Sequence, residues 1–194
     1  NAMAAALKSL HLFKGTFTGY GEGFDLEAAP TRLQALIMFI RVLGEEEQAL
    51  TWSGTTPFKD IEKGSQAEHY VGYAYEKGYT NGYIATSFKP AGAVNAYQYT
   101  EFVLRAMGYS SAANKDLSDT LLRAVNAGVL TDGDAAMLQS AAFLRAQLVY
   151  ISYYALEADL PDGSQSLADR LMDLGVFTRD EWLGSWKLVK SDRL

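Results

Sequence analysis

Apolar residues recur along this chain at helical spacing, broken by glycines. Leu33, Leu36, Ile37, Ile40 and Leu43 fall on one face of a helix that ends at Gly44. Tyr70, Tyr73, Ala74 and Lys77 predict a shorter helix ending at Gly78, and Phe102, Leu104, Ala106 and Met107 one ending at Gly108. Leu117, Leu121, Leu122 and Val125 lead to Gly128; Leu148, Ile151, Ala155 and Leu156 follow; Leu167, Leu171 and Leu174 lead to Gly175. Each glycine suits the left-handed residue that commonly closes a helix. Period-two alternation is absent, although residues 82–88 (GYIATSF) can form a short extended piece. The expected fold class is all-α.

The glycine stops repeat. LHLFKGTF, YEKGYTNGY and VNAGVLTDG each end a first helix, and a loop and a second helix follow. Gly15 precedes Arg32 by 17 residues, Gly128 precedes Arg145 by 17, and Gly78 precedes Ala96 by 18. Spacing at this period marks a helix–loop–helix unit present three times, and no unit can bury its apolar face alone. The copies are expected at residues 3–55, 56–111 and 112–160 around one shared core, with a C-terminal helical element at 161–194.

Aligning the copies brings their second-helix starts together: Thr31-Arg32-Leu33-Gln34, Asn95-Ala96-Tyr97-Gln98 and Leu144-Arg145-Ala146-Gln147. Thr31 with Gln34, and Asn95 with Gln98, have the residues of a capping box. Leu144 offers no cap, so the third helix start must be satisfied in another way. The arginines need a different account, because a cation at a helix N-terminus meets a positive dipole end, a penalty of about 0.3–1 kcal/mol where exposed. One partner is an acid of the preceding loop, such as Asp25 or Glu27. The other is an external anion, since helix N–H groups and a guanidinium together suit a carboxylate or phosphate.

Composition narrows the classes. With 21% charged and 48% hydrophobic residues, the 194-residue chain can build a sizeable core. The longest apolar run, ALIMFI, is shorter than the roughly 20 residues that span a bilayer, so no membrane insertion is expected. The absence of cysteine removes disulfides and thiolate chemistry. A net charge of −6 disfavours a nucleic-acid partner. His11 and His69 lack metal-ligand spacing, and no carboxylate pair stands in a catalytic context, so no metal, no cofactor and no enzymatic activity are expected. Asn1-Ala2-Met3 reads as a protease-cleavage remnant outside the fold, and a secretion signal is expected outside this stretch.

In copy two, Phe58, Asp60, Ala67, Tyr70, Ala74, Gly78, Gly82, Phe88, Pro90, Glu101, Leu104, Arg105 and Gly108 stand as in an S-layer homology (SLH) module. Residues 57–109 resemble that family nearly end to end, copy one through LFKGT and APTRLQALIMFIRVLG, and copy three through Gly128, Phe143, Arg145 and Leu156. The resemblance covers about residues 5–160. It implies a pseudo-threefold arrangement of three repeats. It also implies non-catalytic anchoring to an anionic, often pyruvylated, secondary polysaccharide of a Gram-positive cell wall, outside the cell, with possible contacts to further surface-protein domains. The signature arginine binds the anion in grooves between repeats, which assigns that role to Arg32 and Arg145, with Thr31, Gln34 and Gln147 beside them. Lys14 and Lys77, each next to a glycine stop, add local positive charge or complement the helix C-terminal dipole.

The departures are specific. The signature glutamate is glutamine in every copy; copy two has Ala96 for the arginine and Gln66 for the family's tryptophan, so one groove is expected to be altered. The alternative is a degenerate SLH-like structural or protein-interaction domain without polymer binding. Tyr70, Tyr73, Tyr75, Tyr79, Tyr83, Tyr97, Tyr99, Tyr150, Tyr153 and Tyr154 crowd copies two and three, and helical spacing makes most of them core or groove-wall residues, while an exposed tyrosine can stack on a sugar. Trp52, Trp182 and Trp186 are expected to pack against the repeats.

Overall fold

A computed structural model describes residues 2–14, 16–17, 22–110, 116–189 and 193. Ten helices account for most of them: α1 (Ala2–Ser9), α2 (Arg32–Leu43), α3 (Glu46–Leu50), α4 (Gln66–Glu76), α5 (Ala96–Met107), α6 (Thr120–Asn126), α7 (Asp132–Ser140), α8 (Arg145–Ala155), α9 (Leu167–Asp173) and α10 (Arg179–Leu188). The chain is all-α apart from a hairpin of β1 (Thr16–Phe17) and β2 (Glu22–Gly23), with Thr16 opposite Gly23 and Phe17 opposite Glu22.

Helix ends follow the local chemistry of the sequence. Thr31 Oγ1 accepts the Gln34 N–H at 3.1 Å while Gln34 Oε1 accepts the Thr31 N–H at 2.9 Å. Asn95 and Gln98 repeat that box at α5. Each such cap is worth about 1 kcal/mol. At α8, Gln147 Oε1 accepts the Leu144 N–H at 2.9 Å and the Leu144 carbonyl accepts the Gln147 N–H. Gly44, Gly78, Gly108, Gly128 and Gly175 all adopt positive φ at or just past a helix end. Gly15 lies outside the described residues.

The buried side chains form one contiguous cluster running from Met3 to Phe177. α2 packs against α4 and α5, α5 against α6 and α8, and α1 against α8 and α10. Tyr99, fully buried between α5 and α8, shares a 2.5 Å hydrogen bond with Ser152. Burial without a charged partner pushes its hydroxyl well above the usual tyrosine range. Trp52 lies over α4: a Cβ on Gly72 would stand 2.2 Å from the indole ring. Its Nε1–H donates to Glu76 at 2.7 Å.

Several expectations need correcting. Ala2 and Met3 belong to the first turn of α1 and Met3 is buried, because α1 closes the core beneath α8 and α10; Asn1 lies outside the described residues. Residues 82–88 form no strand but a tight turn with one bridge, Ile84 to Ser87. The stretch between Gly128 and Arg145, expected as a loop, carries α7, because Thr131 and Asp134 cap it reciprocally. Leu122 and Leu174, assigned to apolar faces, are more than half exposed, and so is Trp186. Of the other two tryptophans, Trp52 and Trp182 pack against the core.

Candidate functional site

Two helix starts dock on loops by the same hydrogen bonds. At the first junction the Arg32 N–H donates to the Gly92 carbonyl at 2.8 Å and the Leu33 N–H to the Pro90 carbonyl at 3.1 Å. At the second the Arg145 N–H donates to the Ala28 carbonyl at 2.8 Å and the Ala146 N–H to the Leu26 carbonyl at 3.0 Å. The arginine side chains complete the pattern: Arg32 Nε donates to the Phe88 carbonyl at 2.9 Å, and Arg145 Nε to the Phe24 carbonyl at 3.1 Å. Acceptors two and four residues past a phenylalanine thus take up the helix N–H groups that have no intrahelical partner. Among the described residues, neither the Ala96 nor the Tyr97 N–H makes such a docking bond.

These contacts explain the cation at the positive end of each helix. The Arg32 guanidinium stands 5.1 Å from the Phe88 ring centroid, and that of Arg145 stands 5.0 Å from the Phe13 ring centroid. A carbonyl and an aromatic face replace the expected acid. Burial lowers the pKa of both guanidinium groups, against the pull of Asp60 and Tyr83 on Arg32 and of Asp25 on Arg145. Among the described residues no carboxylate lies within ion-pair distance of either arginine.

Both loops turn through a non-glycine residue in left-handed conformation, Lys89 at φ 55° and Asp25 at φ 48°. Such backbone is sparsely populated and must be held by its surroundings. At the first junction Asp60 holds it: its carboxylate accepts the Phe88 N–H, the Lys89 N–H and the Ser87 hydroxyl at 2.7–2.9 Å. Burial pushes the Asp60 carboxyl up, but these donors outweigh it and leave the pKa below the usual aspartate value.

The junctions differ in what surrounds the guanidinium. Arg32, half-buried, lines a cavity of about 250 Å³ with Leu36, Phe88, Gln98, Phe102 and Arg105. Arg105 is half-buried too, its guanidinium 6.0 Å from the Phe39 ring centroid, and no described carboxylate pairs with it. Glu101 also lines the cavity, but it forms an ion pair with Arg123 and a hydrogen bond with Thr120. The Arg145 residue is only 5% exposed. Arg41, nine positions into α2 as Arg105 is nine beyond Ala96, is buried and donates from Nε to Glu46 Oε1 at 2.8 Å.

The remaining assigned residues lie elsewhere. Thr31 and Gln34 are occupied in capping α2, and Gln147 in closing the start of α8. Lys14 Nζ lies 4.0 Å from Glu46, and Lys77 Nζ lies 5.6 Å from the Tyr73 ring centroid. The stretch after Gly128 is α7, and buried Asp134 accepts from Thr131 N–H, Tyr150 hydroxyl and Arg193. Arg193 lies 4.3 Å from the Tyr154 ring centroid. Arg105 was legible as part of the i, i+3, i+4, i+7 face Gln98–Glu101–Phe102–Arg105, but nothing in the sequence separated an unpaired arginine from a paired one.

Residues 57–95 match the S-layer homology domain. The SLH match spans Phe58, the Asp60 that holds the loop, and Phe88-Lys89-Pro90, and ends at the cap of α5. A cell surface protein of Thermoanaerobacter kivui is 24% identical over 98% of this chain. The chain spans 30% of that relative's length. SLH domains are in general non-catalytic cell-wall anchoring modules, and these likenesses point to the cell surface. Among the described residues no helix is long and apolar enough to cross a membrane, and no three His, Asp or Glu side chains are grouped as metal ligands.

Proposed function

We propose that this chain is a cell-wall anchoring module that binds an anionic secondary polysaccharide in the groove between α2 and α5, with Arg32 and Arg105 facing the anion. The observation that carries this reading is two half-buried guanidinium groups lining one cavity without a carboxylate partner among the described residues. A desolvated cation without a counter-charge is costly, and a carboxylate or phosphate entering the groove offsets that cost through charge-assisted hydrogen bonds. Leu36, Phe88 and Phe102 supply apolar wall for the body of a sugar. The net charge of −6 opposes this only weakly, because repulsion is screened beyond about 8–10 Å at physiological ionic strength.

In this reading the chain consists of three SLH-like copies, 3–55, 56–111 and 112–160, with 161–194 as an added element at the cell surface. The repeated docking pattern of Arg32 and Arg145 supports it. The alternative, a scaffold or interaction domain without polymer binding, is favoured by Arg145, whose burial suits a staple better than a ligand. The test is retention on purified cell-wall sacculi that carry their secondary polymer. Wild type is expected to be retained and Arg32→Ala, Arg105→Ala to be lost. Equal retention of both, or retention of neither, would overturn polymer binding through this groove.

A further inference from the structure

Beside the α2–α5 groove, the turn at residues 82–88 carries side chains that the fold does not use. Tyr83 is 56% exposed and Ile84 57% exposed, at the tip closed by the Ile84–Ser87 bridge. Lys89 is exposed and places its ammonium 3.6 Å from the Tyr83 ring centroid. On the other side, the Tyr83 hydroxyl lies close enough to influence the Arg32 guanidinium. A Cβ on Gly92 would stand 2.9 Å from Arg32 Cδ and 3.4 Å from Lys89 Cβ, so these two cationic side chains flank one glycine. Arg32, Tyr83 and Lys89 therefore form a row that leads outward from Arg32, the member that lines the groove.

The backbone makes this row deliberate. Lys89 sits at φ 55°, a conformation in which lysine has no intrinsic preference, and Asp60 holds it there. The corresponding residue of the closed junction is Asp25, in the same conformation with the opposite charge. The lysine thus occurs at the junction whose cavity is open.

We infer that Tyr83 and Lys89 form an outer subsite of the groove, which takes a second acidic sugar residue of the polymer bound at Arg32. This inference rests on the polysaccharide reading above. The open edge of the Tyr83 ring and the Ile84 side chain meet the apolar face of the sugar, and the Lys89 ammonium meets its carboxylate or phosphate. Recognition then extends over more than one saccharide, and the subsite favours polymers with closely spaced anionic groups.

The experiment compares retention on intact sacculi over a salt series. Variants are Lys89→Asp, Tyr83→Ala, the Arg32→Ala, Arg105→Ala pair, and Lys63→Asp, an exposed lysine in the match but away from the groove. Lys89→Asp copies the residue of the other junction, and aspartate tolerates left-handed backbone better than lysine, so the fold is preserved; melting curves check this. Lys89→Asp and Tyr83→Ala are each expected to weaken retention by about five- to tenfold, and Lys63→Asp by less than about twofold. Sacculi stripped of phosphodiester-linked polymer with hydrofluoric acid should lose the wild type and every variant. If Lys89→Asp and Tyr83→Ala are retained like wild type while the arginine pair is lost, the subsite is wrong and the groove stands. An equal loss with Lys63→Asp would also overturn it, since net charge would then explain the effect. Absence of wild-type retention would overturn both.

Discussion

The first junction, α2 on residues 88–92, and the second, α8 on residues 24–28, share their backbone bonds and the arginine-to-carbonyl bond. Each guanidinium also lies over a phenylalanine ring, and the junctions differ in burial and in the charged groups nearby. At the first, Arg105 lines the same cavity with no described carboxylate paired to it, and the loop residue is Lys89. At the second, Arg145 is buried and the loop residue is Asp25, while Arg41, which corresponds to Arg105 along the chain, is neutralised by Glu46. One construction therefore serves two ends. The docking bonds make the helix start a staple whatever surrounds it, and the neighbouring charges decide whether a vacancy for an anion remains. On the proposed reading, an arginine at this position is structural first, and serves a ligand only where no neighbouring acid pairs with it.

The largest effects should come from the aromatic faces, and they should be alike. Phe88→Ala and Phe13→Ala each remove a buried ring from beneath a guanidinium, a change that typically costs about 3–5 kcal/mol. Denaturant unfolding of the two variants checks this. A cost below about 1 kcal/mol at one site alone would mean that the junctions are not equivalent in construction.

The arginines themselves should separate. Arg145→Ala removes a side chain packed inside the protein and leaves the Phe24 carbonyl without its donor, for an expected loss of about 2–3 kcal/mol. Arg32→Ala removes a half-exposed group from an open groove, with an expected loss nearer 0.5–1 kcal/mol but a large loss of sacculus retention. Equal stability losses, or retention that depends on Arg145 rather than Arg32, would reverse the assignment of staple and ligand.

What was legible in the sequence follows from this division. Periodicity, glycine stops and capping boxes are local signals, and α2, α4, α5, α6, α8 and α9 appear where those signals fall. Short α3 was missed, because a five-residue helix has too few turns for a stripe, and α10 was expected only within a C-terminal helical element and without bounds of its own, because it is largely exposed. The arginine positions were legible, but their partners were not. Whether a guanidinium meets Glu46, a carbonyl or an empty groove depends on side chains brought together by tertiary packing. Arg105 and Arg41 are both in the last turn of their helices, and only Arg41 has Glu46 five residues on to bind it. The stretch after Gly128 shows the same limit: spacing alone assigned it to a loop, whereas it carries α7, whose Asp134 is bound by Arg193.

The loop that carries Phe88 should also respond to acid. Asp60 titrates below its ordinary value of 3.8 when folded, so the unfolded chain binds its proton first as pH falls. Its contribution is therefore fully present above about pH 4 and is lost as pH drops through the folded value. Asp60→Asn should cost about 1 kcal/mol at neutral pH, at the low end because the carboxylate is exposed, and should flatten the acid limb of the stability profile. An unchanged acid limb would show that the loop does not depend on the charge of Asp60. Retention on sacculi should fall over the same acid range, because Arg32 loses the carbonyl that orients it.

The smallest effect is the most discriminating. Asp25→Lys gives the second junction the loop cation of the first, at a position that is exposed and already left-handed. Surface charge changes of this kind typically shift stability by less than about 0.5 kcal/mol, and loss of the attraction to Arg145 together with the poorer tolerance of lysine for left-handed backbone adds to that cost. Binding should not rise, since Arg145 remains buried over Phe13 and Arg41 remains committed to Glu46. A gain in retention comparable with the loss in Lys89→Asp would show that the loop charge alone sets anion binding, and that the paired state of Arg41 and the burial of Arg145 are irrelevant to it. If retention is unchanged, the vacancy beside Arg32 and Arg105 is what distinguishes the two junctions, and the loop cation acts only where a groove already exists.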